Sequence, residues 1–236
     1  MRGYTYLIID IATVIVCFIF SFDKRIKFYP YFMTVIKGIL VAAIPFIVWD
    51  AWFAAKGVWW FHTQYTTGVG LLGLPIEEWL FFVCIPFSCL FTFYCIERFW
   101  DLGRIERYQA PFVWSFLVVL LIAVVLFHRK LYPLVTGIVT AAILVYLHFI
   151  ERVKWLVLAS LAYLLLLPGF FIVNGLLTGT GLHSPIVNYN PDEIINLRIL
   201  TIPIEDLVYG YSLILLNIYF FIRYRQKPTQ NSLNSY

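Results

Sequence analysis

Two short acidic motifs carry the chemistry that this sequence offers. Pro75-Ile76-Glu77-Glu78-Trp79-Leu80 recurs 128 residues later as Pro203-Ile204-Glu205-Asp206-Leu207-Val208. A proline followed by acids is a common way to open a helix, because proline fits the first turn and carboxylates complement the N-terminal dipole. One copy would need no further explanation. Two matched copies at the head of apolar runs do, because an ionisable side chain at membrane depth costs about 3 kcal/mol or more and generally faces a bundle interior. Adjacent acids in one apolar site titrate apart, leaving one able to give a proton and its neighbour able to take one. The equal slot after the proline makes Glu77 and Glu205 the leading acid/base candidates, with Glu78 and Asp206 completing the relay. Asp50, placed in the loop after the second apolar run, is a third member, and its counterpart Asn174 cannot ionise.

Aromatic residues crowd the same regions: Trp49, Trp52, Trp59, Trp60 and Trp79 in the first half, Tyr189 and Tyr209 in the second. Many aromatics in such a chain serve as interfacial belts or packing. Beside a proton donor they also suit a carbocation, since ring faces stabilise positive charge without offering a nucleophile. These residues, with Asn174 and His183, are the candidates for binding a substrate, and His62 is a further candidate lining residue. Cofactor and metal chemistry lack their sequence signatures. Gly68-Val69-Gly70-Leu71-Leu72-Gly73 satisfies GxGxxG, but no strand precedes it and no βαβ unit follows. His62, His128, His148 and His183 form no paired-histidine box, and no aspartate-rich repeat is present to hold a magnesium diphosphate. Cys17, Cys84, Cys89 and Cys95 lie in apolar runs without metal spacing.

The elements that must position these residues are transmembrane helices. Hydrophobic residues make up 62% of the 236, and charged residues only 13%; soluble domains carry about a quarter charged residues. A surface so poor in charge must face lipid. Seven apolar runs approach the roughly 20 residues that a spanning helix needs: Tyr4 to Phe22, Tyr31 to Trp49, Ile76 to Ile96, Pro111 to Phe127, Tyr132 to Ile150, Trp155 to Val173 and Ile204 to Ile222. The fourth is the shortest. The first is read as a span and not as a cleavable signal, because its basic cluster follows it.

Cytoplasmic loops retain Lys and Arg. An outside N-terminus places eleven of them in inner segments and five, including the awkward pair Arg129 and Lys130, in outer ones. A multi-pass protein of the cell membrane, N-terminus outside and C-terminus cytoplasmic, is expected. Two outer loops are then long, 50–75 and 174–203, and their aromatic, low-charge composition predicts that they fold back against the membrane. The fold class is an all-α membrane protein with seven transmembrane helices, arranged as two parallel three-helix repeats (1–96 and 131–225). A linking helix (97–130) restores the parallel orientation, and a polar disordered tail (226–236) follows.

The paired motifs, the Trp49-Asp50 segment with Gly57 and Trp59, and the loop from His183-Ser184-Pro185 through Asn188-Tyr189-Asn190 to Arg198 resemble the membrane-integral lycopene cyclases. The resemblance runs to about Ile222 and is to a fused form containing both halves, related to the cyclase part of fungal bifunctional enzymes that also carry phytoene synthase. It implies conversion of linear lycopene to β-carotene through γ-carotene by proton gain and proton loss, with no cofactor and no metal. It further implies a carotenoid substrate, membrane lipid and other carotenoid-biosynthesis enzymes as partners, and no nucleic acid. A carotenoid hydratase, a cyclase making another ring isomer and a non-catalytic carotenoid-binding protein are the alternatives, and whether the acids form one composite site or two stays open.

Overall fold

The computed structural model describes residues 2–100 and 105–226. Among them, seven α-helices form the bundle: α1 (Thr5–Phe20), α2 (Phe32–Lys56), α3 (Ile76–Phe99), α4 (Gln109–Leu126), α5 (Leu131–Val145), α6 (Leu156–Leu177) and α7 (Ile204–Arg225). Six helical stretches are long and apolar enough to cross a membrane, and α1 is a shorter apolar helix beside them. The chain is therefore a multi-pass membrane protein. Its outward faces are apolar, as Ile15, Ile19, Ile44, Leu121, Leu126 and Ile172 show. The polar tail expected from 226 lies, from 227 onward, outside the described residues.

Several boundaries differ from the sequence reading. The second helix continues seven residues past Trp49 and the sixth four past Val173, so Asp50 and Asn174 stand in the last turns of helices and not in loops. Charge and polarity ended the apolar runs early on paper. Nothing breaks α2 until Gly57, whose φ of 70° supplies the left-handed C-cap. The fourth helix is not the shortest: α4 has 18 residues, α1 has 16 and α5 has 15, the last because Tyr146–Ile150 winds as a π-helix.

The two halves repeat in detail. Each acidic motif is preceded by a two-stranded hairpin, β2 (Gly70–Leu71) with β3 (Leu74–Pro75) in the first half and β5 (Arg198–Ile199) with β6 (Ile202–Pro203) in the second. All four strands keep the 128-residue offset. So do the left-handed backbone positions Gly68 and Asn196, and Leu72 and Leu200. GxGxxG is thus a tight hairpin leading into α3. The two long loops pair with each other: β1 (Trp59–Phe61) runs antiparallel to β4 (Val187–Tyr189), with Trp59 opposite Tyr189. This ribbon joins the halves over one end of the bundle. At the other end α7 is tied to α3 by the two hydrogen bonds of Arg225 to Glu97, 2.6 and 2.8 Å long.

Candidate active site

The starts of α1, α3, α5 and α7 and the ends of α2 and α6 meet beneath the β1–β4 ribbon, and each brings at least one polar side chain into an apolar core. Glu78, on the first turn of α3, accepts a 2.5 Å hydrogen bond from the Tyr6 hydroxyl of α1. Asp206, on the first turn of α7, accepts 2.7 Å from Tyr132 of α5, 2.8 Å from Tyr189 of β4 and 3.0 Å from the Asn174 amide of α6. Asp50 accepts 2.8 Å from Tyr209 of α7 and lies next to Glu78 on the wall of the same cavity. Asp50 beside Glu78 and Asn174 beside Asp206 are the same arrangement in the two repeats, with one carboxyl exchanged for an amide. Two neighbouring carboxyls in one apolar site disfavour each other's charge, which favours a single negative charge and one retained proton for the pair.

Glu78, Asp206 and Asp50 all border one cavity of about 300 Å³, together with Trp59, Phe61, Phe81, Tyr132 and Tyr209. That size lies at the lower end of ligand-pocket volumes. Glu77 and Glu205 do not border it. Each points back to its own hairpin loop and accepts one backbone N–H at 2.6 Å, from Thr67 and from Ile195. Both carboxyls are buried and leave their second oxygen without a partner. The first acid of each motif therefore fastens the loop to the helix, and the second faces the cavity.

Of the expected binding residues, Trp59, Asn174 and Tyr209 border the cavity. Tyr189 reaches Asp206 and is stacked on Tyr132 with ring centroids 6.1 Å apart. Burial, and after it the Asp206 carboxylate, holds the Tyr189 phenol well above its ordinary range, so it remains a protonated donor. Trp49 packs behind Tyr209, 4.9 Å between centroids, and does not reach the cavity. Trp52 and Trp60 are exposed, and Trp79 donates to the Leu71 carbonyl on its hairpin at 3.3 Å. His183 is exposed, and His62 accepts from the Gln64 amide at 3.2 Å, a local turn contact. None of these five borders the cavity. The sequence reading missed Tyr6 and Tyr132. Each is the second residue of the first helix in its repeat, but they stand 126 residues apart, so the 128-residue offset of the motifs does not pair them.

Among the described residues no group of three or more His, Cys, Asp or Glu side chains is placed to hold a metal ion. The cavity combines two neighbouring carboxyls, a third that accepts three hydrogen bonds, and aromatic walls inside an apolar bundle. A membrane protein built in this way is equipped for acid–base chemistry on an apolar molecule. The family profile described as lycopene cyclase matches residues 3–96 and 129–223, one match to each half, and the chain belongs to that family. Searches of curated proteins and of solved structures return no match.

Proposed function

We propose that the chain converts lycopene to β-carotene by two proton-initiated cyclisations that pass through γ-carotene, in one composite site. The observation that carries the reading is the meeting of Glu78, Asp50 and Asp206, one acid motif from each repeat, around a single aromatic-walled cavity. The proton held between Glu78 and Asp50 goes to C2 of the terminal C1=C2 double bond. The C5=C6 electrons close on the C1 cation, and loss of the C6 proton forms the β-ring double bond. One proton enters and one leaves, so the reaction is an isomerisation and needs no oxidant or reductant.

Asp206 is the acceptor. Its oxygens already receive three hydrogen bonds, so its charged form is fully solvated by the protein, and it can both stabilise the cation and take the C6 proton. Return of that proton to the Glu78–Asp50 pair completes the cycle. Glu77 and Glu205, expected as the leading acids, serve here to hold the hairpins that present Glu78 and Asp206.

We further propose that all seven helices cross the cell membrane with the N-terminus and the acid cluster on the outer side. Ion-paired and basic residues such as Arg25, Arg98, Arg223 and Arg225 gather at the opposite end, as cytoplasmic loops require. Production of the chain in cells that accumulate lycopene tests the function. The expected product is bicyclic and equal in mass to lycopene. A product heavier by water would indicate a hydratase, and bound but unchanged lycopene would indicate a carrier.

A further inference from the structure

The cavity is not confined to the acid cluster. From Glu78 it follows α3 to Thr92, fourteen residues, which is about 21 Å at 1.5 Å per residue. The hydrocarbon core is about 30 Å thick, so the space passes the bilayer midplane. Its head is closed: Trp59, Phe61 and Val187 of the ribbon border it above, and Tyr6 and Ile9 of α1 pack with Val173 and Leu177 of α6 at its side. Further down, Thr13 and Cys17 of α1 and Leu166 and Gly169 of α6 border it, with Ser88 of α3 between. These five are half-buried or exposed, so the crevice opens on the outside of the bundle at a depth where the surroundings are lipid. No charged side chain borders it below the acid cluster.

We propose that the crevice between α1 and α6, floored by α3, is a lateral portal through which a long acyclic polyene enters end-first from the bilayer, its far end remaining in the crevice and the lipid while the near end reacts. The proposal rests on the cyclase reading. An apolar substrate dissolved in the membrane has no reason to cross the aqueous surface, where the ribbon roofs the site. The small side chains along the crevice leave room for a rod-like chain, and Gly169 is the narrowest of them. A Cβ at Gly169 would meet nothing within 4 Å, so a side chain can be introduced there at the border of the crevice without a backbone clash.

The test is a graded series, Gly169→Ala, Gly169→Leu and Gly169→Trp, purified into lipid vesicles of varied lycopene content. Ile172→Trp serves as control, because Ile172 is exposed on the same helix and lies off the cavity. The expected result is an apparent KM that rises with side-chain size, at least tenfold for Gly169→Trp, with a smaller change in kcat and none in the control. If Gly169→Trp is not recovered from the membrane, Gly169→Leu and Leu166→Trp give the same comparison. Wild-type kinetics across the series, an equal loss in Ile172→Trp, or a fall in kcat alone would overturn the portal while the cyclase reading stood. An inactive wild type would remove both.

Discussion

At the scale of single residues, the site is a matter of which oxygen faces which donor. Asp206→Asn keeps the size of the side chain but removes the base, and cyclisation should fall by about 10² to 10⁴ with the protein still recovered from the membrane; pigment extracts from cells producing it measure this. Tyr132→Phe removes one of three donors to Asp206 and should cost less. A hydrogen bond to a charged group contributes about 1.5–3 kcal/mol, and loss of roughly tenfold or more in kcat, with little change in KM, is the expected outcome. The sequence made the acidic motifs legible because they repeat as a string. It could not say which acid of each pair turns inward, since Glu77 and Glu78 are neighbours on a helix and point about 100° apart, with 3.6 residues per turn. Nor did it mark Tyr6 or Tyr132, each a common residue in a membrane helix whose role depends on a partner more than 70 residues away.

At the scale of elements, the hairpins and loops decide how the helix ends are held. Glu193 accepts the Leu131 amide at 2.8 Å at the N-terminus of α5, and the Lys130 ammonium donates to the Pro191 and Ile194 carbonyls at 3.1 and 2.6 Å. One member of the basic pair that sits awkwardly in the charge count is therefore bound by the loop beside it. Glu193→Ala should lower stability by about 1 kcal/mol, as loss of a helix cap does, and a thermal melt in detergent would show it. At the opposite end Glu151 accepts from Tyr146 at 2.5 Å and Tyr219 at 2.9 Å, with Arg223 at 3.4 Å. The hydrogen bonds, that from Tyr146 first, hold its carboxyl below the ordinary range. A carboxyl lowered in the folded state adds stability above its unfolded value and loses it as pH falls through the folded one. The difference in melting between wild type and Glu151→Gln should accordingly stay constant above about pH 5 and shrink as pH falls below the ordinary carboxyl value towards the lowered one. Helix number was readable from hydropathy, but helix ends were not: Asp50 and Asn174 looked like loop residues because their polarity interrupted an apolar run, whereas inside the bundle each finds a polar partner, Tyr209 for Asp50 and Asp206 for Asn174.

At the scale of the whole molecule, duplication followed by divergence explains the asymmetry of the site. The two hairpins, the two loop-fastening glutamates and the two cavity-facing acids superpose in sequence at one offset, whereas Asp50 and Asn174 differ in chemistry. On the proposed mechanism that difference gives one repeat the proton and the other the base, so neither is complete without its partner. On the cyclase reading, a cavity near the lower limit of ligand pockets takes one end of a long polyene at a time, and the two ends react in separate visits. Monocyclic γ-carotene should therefore accumulate early, when lycopene is in large excess over protein, and decline later; a time course of extracted pigments checks this. That each repeat contributes a pair of acids was legible in the matched motifs. That the repeats share a single cavity was not, because it depends on how the loops cross from one half to the other as the β1–β4 ribbon.

The most direct measurement compares Glu78→Gln with Glu77→Gln, each purified into lycopene-containing vesicles and assayed for cyclised product. Glu78→Gln should be inactive to within 10² or more of wild type. Glu77→Gln, which retains a carbonyl oxygen to accept the Thr67 amide, should keep most of its activity. An active Glu78→Gln, or a Glu77→Gln that folds but cannot cyclise, would contradict the assignment of the proton to the cavity-facing acid.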